Sequence, residues 1–110
     1  MHPSNVKDER FPFMKRKITM THGFEREAKR LLKQHRLTPR ELSEAIDAVA
    51  SKDGRAMPAR YRDHALTGDW RGFRELHVHD DVLVIYEMPD GTVLFVHIGT
   101  HDLFFKNKRH

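Results

Sequence analysis

Cysteine is absent from the 110 residues, so disulfides, thiolate metal sites and a thiol nucleophile are all excluded. Such a chain suits a reducing compartment. No apolar run approaches the roughly 20 residues that a membrane helix needs, and the amino terminus lacks the apolar stretch of a secretory signal. A cytoplasmic protein with no membrane contact is therefore expected. Internal repeats and low-complexity tracts are missing as well, which argues against a solenoid or a linker.

What is present is a balance typical of a soluble domain: 38% hydrophobic and 33% charged residues. A chain of this length forms one domain with a modest core. The net charge of +4 and a pI near 9.6 favour a polyanionic partner, nucleic acid being the commonest. The charge is uneven. Residues 1–60 hold 14 basic and 8 acidic side chains, whereas residues 61–110 hold 6 and 8. The second half also carries six of the nine histidines, namely His64, His77, His79, His97, His101 and His110. Grip and chemistry are thus expected from different halves, although lysine and arginine on a helix also serve plain solubility.

Residues 1–14 are polar and aperiodic and read as a disordered extension, leaving 15–110 as the domain. Ile18 and Met20 alternate with polar neighbours as in a short strand. Phe24, Ala28, Leu31 and Leu32 share one face of an amphipathic helix whose other face carries Arg26, Lys29, Arg30 and Lys33. Thr38-Pro39-Arg40-Glu41 is a capping-box signature that opens a second helix, with Leu42, Ala45, Ile46 and Val49 inward and Asp53-Gly54 near its end. Phe73–Val78, Val82–Tyr86 and Val93–Ile98 then read as three strands. His79-Asp80-Asp81 and Met88-Pro89-Asp90-Gly91 supply the turns between them. The expected fold is α+β: an N-terminal strand, a helical hairpin, then an antiparallel β-meander with a short C-terminal turn, helices on one face.

The chemistry-bearing residues gather from Tyr61 onward. Asp63-His64, the run Leu66-x-Gly68-x-Trp70-x-Gly72-Phe73-Arg74-x-x-His77, then Asp81, Ile85-Tyr86 and Gly99-Thr100-His101 occur in this order. Together they closely resemble the YafQ branch of the RelE/ParE toxin superfamily. The likeness runs from about Arg16 to Phe105, weakly over the helices and densely after Tyr61. It implies a RelE-like fold and a metal-independent, cofactor-free ribonuclease that cuts mRNA in the ribosomal A site. A cognate antitoxin would hold it inactive, and operator DNA would be reached only through the antitoxin complex. Carried onto matching positions, the active-site residues are His64, His77, Asp81 and His101, with a terminal aromatic at Phe104 or Phe105.

That set makes chemical sense. RNA cleavage without a metal needs a base for the 2′-hydroxyl proton and an acid for the departing 5′-oxygen, and imidazole serves as either near neutral pH. On this reading His101 is the acid, Asp81 or His64 the base, and His77 orients or stabilises charge. His77, Asp81 and His101 are expected to meet at one sheet edge, with His64 closing over them. Arg71 and Arg74 are candidates to support the phosphorane, though pairing with Asp69 or Glu75 is their bland alternative. Trp70 and Phe73 read as core anchors rather than base-stacking platforms. A strand histidine such as His77 is, taken alone, more often structural than catalytic.

Three positions depart from the family pattern: Val82 where an aromatic is common, Asp80 where proline is common, and His97 where arginine often stands. An arginine there would be a permanent cation beside the scissile phosphate, whereas His97 is only partly charged near neutrality. Two rival readings remain. His77-x-His79 with Asp80 and Asp81 offers metal ligands at close spacing, the two histidines sharing a strand face. A catalytically weak or degenerate toxin-like binding module, acting on another target, would use the same fold without the chemistry.

Overall fold

The computed structural model describes residues 16–51 and 57–101. The expectations for residues 1–14, Asp53-Gly54, Phe104 and Phe105 lie outside the described residues. The elements are β1 (Ile18–Met20), α1 (His22–Lys33), α2 (Pro39–Ala50), β2 (His64–Ala65), β3 (Arg74–His79), β4 (Val82–Glu87) and β5 (Val93–Gly99). The strands form one sheet in the order β1-β5-β4-β3-β2. β1 runs parallel to β5, and the remaining pairs are antiparallel.

Both helices begin as the sequence dictates. Thr21 caps α1 by accepting the Phe24 N–H at 3.0 Å. Its hydroxyl also donates to the Val96 carbonyl at 2.9 Å, which pins the helix start to β5. Thr38 and Glu41 close the capping box of α2, each side chain accepting the other residue's backbone N–H. At the far end of α2, the Arg16 guanidinium donates to the carbonyls of Val49 and Ser51. This cation satisfies orphan C-terminal carbonyls and complements the helix dipole.

β4 is the central strand, and Val82 through Tyr86 are all buried. A strand covered on both faces needs a continuous apolar run, which is what Val82–Tyr86 supplies. On one face Val82, Val84 and Tyr86 join Phe24, Ala28 and Leu31 of α1, Ala45 and Val49 of α2, and Phe95 of β5 in the main core. On the other face Leu83 and Ile85 pack against Leu66, Trp70 and Phe73 from the β2–β3 segment. Trp70 and Phe73 meet edge-to-face with ring centroids 5.6 Å apart. They are core anchors, as the sequence suggested.

β2 is the element that sequence patterning missed. It has only two residues, both exposed, so no alternation marks it. Two irregularities also shape the sheet. β3 slips register between His77 and His79, and β5 does so opposite Ile85 and Tyr86. Each extra residue turns the side chains beyond it to the other face.

Packing should dominate stability. Phe95→Ala is expected to lower the unfolding free energy by about 3–5 kcal/mol, and Thr38→Ala by about 1 kcal/mol. Urea titrations of the two variants would measure both, and equal losses would contradict this ranking.

Candidate active site

The sheet face away from the helices carries the candidate site. Antiparallel pairing sets His64 of β2 directly opposite Glu75 of β3, so the two side chains share that face. His77 lies two residues beyond Glu75 and projects the same way. The His64 Nε2 stands 2.9 Å from Glu75 Oε1, and the His64 and His77 rings are stacked with centroids 6.4 Å apart. His101, just past β5, lies close enough that its charge acts on His77. His64 and His77 thus come together, with His101 at the end of β5.

Glu75 is the residue that sequence reasoning passed over, treating it only as a possible arginine partner. It is 4% exposed, and its Oε2 is buried with no hydrogen-bond partner among the described residues. An acid costs much to bury, so a half-satisfied one on a strand marks a special environment. Its signal was positional: a glutamate two residues before a histidine on a strand must share the histidine's face.

His64 Nδ1 lies 2.7 Å from the Arg62 carbonyl. A carbonyl only accepts, so Nδ1 donates there, and Nε2 is the nitrogen that faces Glu75. A carbonyl against one nitrogen and a buried carboxylate against the other fix the orientation of the ring. His77 differs. Burial, followed by the Arg62 guanidinium, holds its pKa below the ordinary imidazole value, against the opposing pull of Glu75.

Asp81 does not join this group. Its carboxylate is ion-paired with Arg36 from the α1–α2 loop, on the helix side of the sheet. His79 is there too, its Nε2 donating to the Arg36 carbonyl at 2.8 Å and its Nδ1 accepting the Asp81 N–H at 3.2 Å. The expectation that His77 and His79 share a face is corrected. The β3 bulge between them turns His79 to the helix side, which separates the nitrogens that the metal reading placed together.

The supporting residues divide similarly. Arg74 alternates with Glu75 and faces the helices, where its Nε donates to Asp63 at 3.2 Å. The Tyr86 hydroxyl donates to the same carboxylate at 2.6 Å, and burial with this carboxylate drives the phenol pKa far up. Arg71 is exposed at the end of the 3₁₀ turn Gly68–Trp70. His97 sits opposite Ile85, its Nδ1 3.4 Å from Glu27 and its ring 6.0 Å from Trp70. Glu27 also accepts the Ile98 N–H at 3.2 Å, satisfying a donor at the bulge.

The chain matches the family described as the YafQ bacterial toxin of type II toxin–antitoxin systems over residues 16–106. A curated relative, the mRNA interferase toxin YafQ of Escherichia coli K12, is 43% identical over 49 residues, 44% of this chain and 53% of that protein. The match thus spans about half the length of this relative. Solved structures extend it. The E. coli DinJ-YafQ toxin-antitoxin complex aligns with TM-score 0.70 at 28% identity, covering 84% of this chain and 99% of that one. A copper-bound mutant toxin from Helicobacter pylori aligns with TM-score 0.72 at 27% identity, covering 81% and 98%.

The depressed His77 pKa has a measurable consequence. An imidazole whose pKa is lower folded than unfolded contributes stability that is full above about pH 6.5 and lost as pH falls toward the folded value. Between pH 7 and pH 5, wild type is expected to lose more stability than His77→Gln. Urea midpoints across that range would check it, and parallel curves would contradict it.

Proposed function

The chain belongs to the YafQ family of type II toxin–antitoxin toxins, and from that premise we propose that it is an endoribonuclease cleaving mRNA in the ribosomal A site. A cognate antitoxin neutralises it, and operator DNA is approached only through that complex. The observation that carries the reading is the convergence of His64, Glu75 and His77 on the sheet face away from the helices, with His101 just past β5. Curated relatives bear the name mRNA interferase. DinJ bound to E. coli YafQ supports a protein partner of the same kind here.

The mechanism rests on where the protons are held. His64 takes the 2′-hydroxyl proton on Nε2 as that nitrogen turns from Glu75 to the substrate, its Nδ1–H staying on the Arg62 carbonyl. The 2′-oxygen attacks the adjacent phosphorus, and His101 protonates the 5′-oxygen as its bond to phosphorus breaks. His77 is neutral near pH 7 and donates a hydrogen bond to a phosphate oxygen. Asp81 would have to leave Arg36 on the helix side to act as base, so His64, which already stands beside His77, is the better fit. Arg71 and the basic face of α1 are left to meet RNA backbone, and Phe104 or Phe105 to stack on a base. No step calls for a metal, and the copper-bound relative makes a chelator arm an essential control.

The test is cleavage of a defined message on programmed ribosomes, mapped by primer extension. Wild type is expected to cut in the A site, with His101→Ala and His64→Ala each slower by about 100-fold or more. The wild-type rate is expected to persist when trace transition metals are removed by a selective chelator that spares ribosomal magnesium. Full activity in His101→Ala would overturn the acid assignment. A wild type that cuts no codon tested would favour the non-catalytic binding module.

A further inference from the structure

We propose that Arg62 is a positioning residue that fixes the tautomers of both site histidines, His64 through its carbonyl and His77 through its guanidinium. His77 is then set to offer Nε2–H to the RNA, and His64 to hold Nε2 against Glu75. The proposal rests on the ribonuclease reading of this face, but the tautomers are measurable without RNA.

Arg62 has an unusual backbone. It comes directly after the 3₁₀ turn Ala59–Tyr61 with φ 49° and ψ 42°, and its N–H donates to the Ala59 carbonyl at 3.0 Å. A side-chain-bearing residue rarely adopts this left-handed conformation, so the surroundings must enforce it. One effect is to aim the Arg62 carbonyl at the ring two residues on, 2.7 Å from His64 Nδ1. Asp63, between them, is anchored on the helix side by Tyr86 and Arg74. That anchor commits its two neighbours to the open face.

The side chain of the same residue reaches the second ring. Arg62 Nη2 lies 3.2 Å from His77 Nδ1, and the guanidinium is steadied from the β3–β4 turn by Asp80 at 3.9 Å. Guanidinium has donors and no acceptor, so His77 Nδ1 must offer its lone pair. The proton of the neutral ring is then on Nε2. The other groups acting on His77 are Glu75 from its own strand, His64 from β2 and His101 from beyond β5. With Arg62 they set three cationic or cation-forming groups against one acid, which favours the neutral ring. The stacked pair therefore carries opposite tautomers: His64 protonated at Nδ1, with Nε2 toward Glu75, and His77 protonated at Nε2. One residue sets both because its carbonyl and its side chain diverge from the left-handed turn.

Long-range ¹H–¹⁵N correlation spectra of the intact chain, with both imidazoles assigned, test this directly. Above its titration, wild-type His77 should show the Nε2–H pattern and His64 a protonated Nδ1. In Arg62→Ala the His77 signal should move toward a tautomer mixture and its titration midpoint should rise, because a cation has been removed. His64 should be unchanged, because the carbonyl remains. Cleavage on programmed ribosomes should lose kcat by about tenfold or more with KM nearly constant, and the acid limb of the kcat profile should move to higher pH. Arg62→Lys, which keeps a donor and the charge, should restore much of both readouts. An Nδ1–H or mixed His77 in wild type would overturn the proposal, and this readout stands even if Arg62→Ala does not fold. So would a loss confined to KM, the mark of an arginine that only grips phosphate. If wild type cuts no RNA, the functional reading fails while the spectra still decide the role of Arg62.

Discussion

Everything in this fold depends on β4 being buried from both sides. Val82, Val84 and Tyr86 need the helices, and Leu83 and Ile85 need a second cover. Both described helices pack on the same sheet face, and the second cover comes from the β2–β3 segment. Leu66, Trp70 and Phe73 supply it. They cover the middle of that face and leave His64 exposed and His77 half-buried beside it, with Glu75 buried behind His64. A site for a polymer needs such exposure, whereas a small-molecule site would need enclosure.

The two faces also separate electrostatic duties. The helix-side polar groups are paired internally: Arg74 and Tyr86 on Asp63, Arg36 on Asp81, Arg16 on the α2 carbonyls. These contacts hold loops in place. On the open face the polar groups are arranged around mobile protons instead, with a buried carboxylate behind one imidazole and a guanidinium against the other. Functional sites are where such unequal neighbours are expected to drive titrating groups apart.

Much of this was legible in the sequence, and for physical reasons. The capping box of Thr38 and Glu41, the helical stripe of α1 and the apolar run of β4 are local signals with local causes. His64, His77 and His101 came from motif resemblance, and the structure stacks the first two. What escaped is non-local or too short to have a period. β2 has two exposed residues. The bulge that sends His79 away from His77 depends on pairing with β4, which no residue of β3 announces by itself. Asp81 looked like a neighbour of His77 because both flank one turn, but the ion pair with Arg36 comes from a loop 45 residues earlier. Glu75 read only as an arginine partner until strand pairing set it against His64.

In the proposed mechanism imidazole protons, and not a metal-activated water, break the RNA backbone. The chemistry of the ends tests it most directly. If the 2′-hydroxyl is the nucleophile, fragments produced without transition metal must carry a 2′,3′-cyclic phosphate and a 5′-hydroxyl, and a single 2′-deoxy nucleotide at the scissile position must block the cut. Fragments with a 3′-hydroxyl and a 5′-phosphate, or cleavage indifferent to the 2′-deoxy substitution, would contradict the account.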